Sequence, residues 1–207
     1  MYRKGVNHLK RVDPQLARII ERVGPCRFQT RAEGTHFDAL VRSIVYQQLS
    51  GKAASTIYGR VKALYGGREP TPIELLDTPD ADLRAAGLSR QKLGYLKDLS
   101  EKVESGAVPV ERIHELEDDA VVEALTKVKG VGRWTAHMVL IFRLGRLDVL
   151  PDLDLGIQKG VMLAYELPAL PKPREVEQIG ARWRPYATIA SWYLWRSLDE
   201  NVQLGAE

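Results

Sequence analysis

Three groups of residues between Val128 and the last tryptophan have types and spacings suited to chemistry. Lys129-Gly130-Val131-Gly132 is a Gly-x-Gly turn between two apolar-periodic segments. Glycines so placed permit φ > 0 and let the chain reverse sharply between helices. A helix restarting near Arg133 presents its first-turn N–H groups and the positive end of its dipole, which suits an anionic group such as a phosphate. Such a contact fixes position on a polyanion and reads no sequence. The second group is one carboxylate. Asp154 stands in Leu150-Pro151-Asp152-Leu153-Asp154-Leu155-Gly156-Ile157, 22 residues after Gly132, at a helix start. A carboxylate there stabilises a developing positive charge or orients a water; Asp152 reads as a cap or local brace for the same helix. The third group is aromatic: Trp134 just past the turn, then Trp183, Trp192 and Trp195. An indole face attracts a cation by about 0.5–2 kcal/mol. Taken singly, each group has a plain alternative: a helix–helix corner, a helix N-cap, and core tryptophans.

The elements that must position these groups read as helices. Trp134, Met138, Ile141 and Phe142 form one stripe of a helix that should end near Gly145. Phe37, Leu40, Val41, Ile44, Val45 and Leu49 form a stronger stripe, with Thr35 as N-cap and Asp38 three residues on. That helix reaches Gln47-Gln48, breaks near Ser50-Gly51, and a second follows with Ala54, Ile57, Val61 and Leu64. Pro14 at a first helical turn, the Thr71-Pro72-Ile73-Glu74 capping box, Thr78-Pro79, and Ser89 before Arg90 mark further starts, and Asp118 or Asp119 opens the helix into the Gly-x-Gly turn. The start at Leu88–Lys92 offers a second phosphate contact. Pro168, Pro171 and Pro173 precede a last helix pair near 174–183 and 186–198. Strand-like alternation, repeats and low-complexity tracts are absent, so the fold class is all-α.

The 207 residues, 44% hydrophobic, suffice for one compact unit of two lobes. The net charge of +3 is unevenly spread: residues 1–62 carry 12 Lys/Arg against 4 Asp/Glu. A basic first third suits a polyanionic partner, although a solvated surface has the same composition. The single cysteine, Cys26, excludes an internal disulfide, and the four histidines show no metal-ligand spacing. No apolar run approaches the ~20 residues that span a bilayer, and no signal-peptide pattern follows Met1. These features predict no membrane association and a cytoplasmic location, or a nuclear one in a eukaryote.

The two motif segments together resemble the helix-hairpin-helix, Gly/Pro-rich, Asp superfamily of DNA base-excision glycosylases. Within it, Gln47-Gln48-Leu49-Ser50-Gly51-Lys52-Ala53-Ala54 resembles the compact alkylpurine (3-methyladenine) branch, with Tyr46 where that branch usually has Gly and Met138 where one group has Tyr. The resemblance implies a two-lobed helical fold with a DNA-binding cleft between lobes: residues 45–132 in a central lobe ending in the hairpin, and 1–44 plus 133–207 in the other. It makes Asp154 the catalytic residue and Trp134, Met138, Trp192 and Tyr46 the substrate-binding set. Gln47, Gln48, Lys129, Gly130, Val131, Gly132, Arg133 and Thr135 become DNA contacts, with Gln48 at the position that fills the gap left by a flipped nucleotide. Bifunctional members carry a nucleophilic Lys where this chain has Trp134, and Trp cannot form a Schiff base. The implied activity is therefore monofunctional. An alkylated base leaves double-stranded DNA by hydrolysis of its N-glycosidic bond, and an abasic site remains. Another lesion, such as hypoxanthine or an oxidised purine, or a non-catalytic damage binder, stays open. No cofactor is required, the four-Cys iron–sulfur site of some relatives is excluded, and a Na+ or K+ ion at the Val128 and Val131 carbonyls is implied. The expected state is a monomer.

Overall fold

The computed structural model describes residues 2–30 and 33–199, and all regular structure among them is helical. None of the described helices is long and apolar enough to cross a membrane. The chain forms two compact units, Arg31–Val139 and Met1–Thr30 with Leu140–Glu207.

In the continuous unit the helices begin where the capping residues stand. Helix α3 (His36–Tyr46) opens on a capping box: Thr35 Oγ1 accepts from the Asp38 N–H at 3.1 Å, and the Asp38 carboxylate accepts from the Thr35 N–H at 2.6 Å. Ser50 caps α4 (Gly51–Ala63), Thr71 and Glu74 box α5 (Pro72–Asp77), and Ser89 caps α7 (Arg90–Glu104). Between them lies α6 (Asp80–Ala85). A 3-10 helix, Val110–Glu115, then leads to α8 (Asp118–Thr126), the hairpin, and α9 (Arg133–Phe142), which belongs to this unit as far as Val139. The α3 stripe of Phe37, Leu40, Val41, Ile44 and Val45 is buried against α4, α7 and the 3-10 helix, each side chain contributing about 1.5–3 kcal/mol. The resemblance implies that residues up to 44 belong to the other lobe. The structure places α3 in this unit because that stripe packs on its helices. Helix α9 ends at Phe142, near Gly145 as expected, and Gly145 takes a left-handed φ of 68° beyond it.

The discontinuous unit joins α1 (Arg3–Val12) and α2 (Pro14–Val23) to α10 (Leu155–Ala164), α11 (Pro173–Gly180), a short 3-10 turn Ala181–Trp183, and α12 (Ala187–Ser197). Helix α12 is buried on nearly every side, from Ala187 through Leu194, and packs on α2, α10 and α1. Asp13, fully buried, braces this core. Its Oδ1 caps α2 through the Gln15 and Leu16 N–H groups, both at 3.0 Å. Its Oδ2 accepts from Trp183 Nε1 at 2.8 Å and from the Tyr165 hydroxyl. Burial, followed by the Asp13 carboxylate, pushes the Tyr165 hydroxyl well above its ordinary pKa. Helix α1 was not legible in the sequence: Tyr2 offers no side-chain cap, and Gly5 interrupts its stripe where Tyr186 packs 2.9 Å from the absent Cβ.

Candidate active site

Asp154 lies at the start of α10 and is itself its N-cap. Its Oδ1 accepts from the Ile157 N–H at 3.0 Å. The same oxygen accepts from Trp195 Nε1–H at 2.8 Å. Trp195 comes from the last turns of α12. Its ring stacks on Phe142 (centroids 5.6 Å apart, planes 29°), which in turn meets Phe28 at 5.9 Å. Gly156 makes this approach possible, since a Cβ there would stand 3.0 Å from both Asp154 Oδ1 and Trp195 Cδ1. One turn on, a Cβ at Gly160 would meet the Leu194 Cβ at 3.0 Å and the Leu194 carbonyl oxygen at 3.2 Å. The two glycines thus bring α10 against α12 closely enough for an indole to reach the cap carboxylate.

The segment leading to Asp154 is fixed from α12 as well. Thr188 Oγ1 donates to the Arg146 carbonyl at 2.7 Å and accepts from the Val149 N–H at 3.0 Å. Asp148 accepts from Arg184 at 2.9 Å and from the Ala187 N–H at 3.3 Å. Of the two readings for Asp152, cap or local brace, the contacts match the brace: it is buried, and its carbonyl accepts from Gln158 Nε2 of α10 at 2.9 Å. Trp192 is buried edge-on to Tyr193 (4.9 Å, 85°), while Trp195, three residues on and half-buried, is the aromatic that meets Asp154. Its position a turn from Trp192 was the only sequence signal for it.

The hairpin is built on two buried valines, Val128 and Val131, with the Val131 N–H donating to the Val128 carbonyl at 3.1 Å. Gly130 takes φ 77°, and a Cβ on it would stand 2.1 Å from Tyr95 Cδ2. Only glycine satisfies both the backbone and the ring. Gly132 differs: its φ is not left-handed, nothing crowds its Cβ position, and its carbonyl accepts the first α9 bond, from the Ala136 N–H at 3.0 Å. A glycine at this cap position brings no side-chain oxygen to the first turn of α9, where Arg133 is half-buried and Thr135 buried. Asp98, buried on α7, anchors the loop. It accepts from the Lys129 N–H at 2.8 Å, pairs with Lys102 at 2.6 Å, and lies 3.4 Å from Lys129 Nζ. Burial opposes its ionisation, but the Lys102 and Lys129 hydrogen bonds outweigh it and hold the carboxyl below its ordinary value. No sequence motif marked Asp98.

The turn after α3 meets the hairpin directly. Gln47 Nε2 donates to the Gly130 carbonyl at 2.9 Å. Lys92 Nζ donates to the Val45 and Gln47 carbonyls, both at 2.7 Å, and burial lowers its pKa. Lys92 therefore closes the end of α3, a different task from the phosphate contact read for the Leu88–Lys92 start. Gln48 is exposed and sits at φ 56°, a conformation that costs a non-glycine residue about 1–3 kcal/mol. Tyr46 is engaged within its unit, under the Arg42 guanidinium at 4.4 Å and edge-on to Tyr58 at 6.0 Å. Trp134 is 40% exposed on the first turn of α9, with half-buried Met138 one turn on.

Residues 41–185 match the family described as HhH-GPD superfamily base excision DNA repair protein. The chain is 37% identical over 193 residues to DNA-3-methyladenine glycosylase 1 of Schizosaccharomyces pombe, covering 92% of this chain and 85% of the relative. The solved structure of the S. pombe 3-methyladenine DNA glycosylase in complex with abasic DNA is similar at TM-score 0.84 and 36% identity, covering 94% of this chain and 96% of that one. A DNA-3-methyladenine glycosidase from Bacillus halodurans is similar at TM-score 0.84 and 39% identity, covering 95% and 89%.

Proposed function

Because the chain belongs to the HhH-GPD superfamily of base excision DNA repair proteins, we propose that it is a monofunctional DNA-3-methyladenine glycosylase. It hydrolyses the N-glycosidic bond of alkylated purines in double-stranded DNA and leaves an abasic site. One observation carries the reading: the Asp154 carboxylate is held by two N–H donors at the start of α10, while residue 134, the amine position of bifunctional members, is an exposed tryptophan. As the base departs with the bonding electrons, positive charge builds on the deoxyribose, and a fixed carboxylate stabilises it without reorganising. Water supplies the oxygen that replaces the base.

Alkylated purines such as 3-methyladenine carry positive charge, which suits the open indole face of Trp134 beside Met138. The base needs little protonation to leave. The α9 N-terminus behind Gly132, with Lys129 and Arg133, grips a backbone phosphate. Gln48 fills the gap left by the flipped nucleotide. The Val128 and Val131 carbonyls would hold a monovalent cation there: the Val128 oxygen accepts one hydrogen bond, from the Val131 N–H, and keeps a second lone pair for an ion. Such an ion would stiffen the hairpin. The protein acts as a monomer.

The test is base release from methylated duplex DNA, comparing the natural chain with Asp154→Asn, with half of each reaction heated in alkali. The expected result is free 3-methyladenine, strand breaks only after alkali, and a loss of at least about 10²-fold in Asp154→Asn. Breaks without alkali would contradict the monofunctional reading. Release of hypoxanthine or oxidised purine alone would replace the substrate, and DNA binding without release of any base would replace the enzyme.

A further inference from the structure

We infer that Trp195 is a positioning residue for Asp154, through its indole N–H and not through stacking on a base. The inference rests on the glycosylase reading and goes beyond it by adding a residue to the machinery. A cap carboxylate needs only one backbone donor to start its helix, and the Ile157 N–H supplies it at 3.0 Å. The second donor, Trp195 Nε1 at 2.8 Å, comes from a different helix and lands on the same Oδ1. Two donors from separate elements on one oxygen fix both torsions of the short side chain. Oδ1 is thereby the anchored oxygen.

The surroundings are shaped for this bond. Gly156 removes the side chain that would stand between indole and carboxylate, with 3.0 Å to each. Gly160 seats α12 against α10 at Leu194, the residue preceding Trp195. The near-parallel Phe142 ring holds the indole plane from outside. A tryptophan present only for packing needs none of these to point its single donor at an acceptor, yet buried indole N–H groups cost free energy when unpaired. Here the partner is the carboxylate of the chemical step.

The test replaces Trp195 with 3-benzothienylalanine, a ring of the same shape without the N–H, beside Trp195→Phe. Single-turnover base release and affinity for abasic-site duplex are measured on each. The expected result for the isostere is a rate lower by about 10- to 100-fold with DNA affinity within about twofold, the loss of one charge-assisted hydrogen bond in the chemical step alone. Independently, the chain has four tryptophans, so its indole 15N–1H spectrum is simple. The signal missing in Trp195→Phe should move in Asp154→Asn. An active natural chain whose isosteric variant keeps its rate, or a Trp195 signal indifferent to Asp154→Asn, overturns this inference alone. A natural chain that releases no base from any lesion overturns the glycosylase reading and this inference with it.

Discussion

Gly130 is held by two separate constraints, a left-handed φ of 77° and the Tyr95 ring 2.1 Å from where a Cβ would stand. A side chain in the left-handed region costs about 1–2 kcal/mol and overpacking about 1–3 kcal/mol, so Gly130→Ala should lose roughly 2–5 kcal/mol in urea unfolding. Gly132→Ala meets neither constraint and should lose only about 0.5–1 kcal/mol in the same measurement, the cost of alanine at a helix N-cap. Equal losses for the two would show that the hairpin tolerates no side chain for a reason other than Tyr95. The sequence showed a Gly-x-Gly turn but not which glycine was obligatory, because Tyr95 lies 35 positions away and reaches the hairpin only in three dimensions. Trp195 illustrates the same limit. Resemblance implies a pocket role for Trp192 and gives none to Trp195, and only the packing of α10 on α12 reveals the indole that meets the carboxylate.

At the scale of elements, the hairpin depends on α7 and the α3 turn as much as on its own helices. Asp98 ties Lys129 to α7, and its pKa lies below the ordinary carboxylate value in the folded chain. A depressed folded pKa means stability that is fully present above the unfolded value of about 3.9 and lost as pH falls through the folded one. The difference in unfolding free energy between the natural chain and Asp98→Asn should therefore be steady from pH 5 to 8 and shrink below about pH 4. Helix α10 supplies a second test. Gly160→Ala would push against the Leu194 backbone and should cost about 1–3 kcal/mol of stability, with base release slowed further because Trp195 follows Leu194. An unaltered rate in that variant would separate the α10–α12 spacing from the chemistry. Most helix starts were legible, since Thr35, Ser50, Thr71 and Ser89 cap locally and their signals lie within three residues. Helix α1 and the 3-10 helix Val110–Glu115 have no side-chain cap and were not legible.

For the whole molecule, charge and topology matter more than any one contact. Residues 1–62 carry a surplus of eight positive charges while the chain as a whole carries +3, so electrostatic attraction to DNA is unevenly supplied. Affinity for abasic-site duplex should fall steeply with salt, with a log–log slope of about −0.9 for each phosphate neutralised. A slope near zero would mean that the hairpin and its basic neighbours do not grip the backbone. The helical class could be read from caps and periodicity, whereas the lobe bounds came only from the resemblance. The place of α3 could not, because its stripe fits either partner until packing decides. The topology has a consequence in synthesis. Residues 31–139 leave a ribosome as one continuous run and can fold as soon as they emerge. Helices α1 and α2 cannot: their apolar faces pack on α12, which is translated roughly 10–30 s after α2 at ordinary elongation speeds. During that interval the first two helices are the nascent chain's exposed liability, and a chaperone that recognises short, basic, amphipathic segments would find its client there.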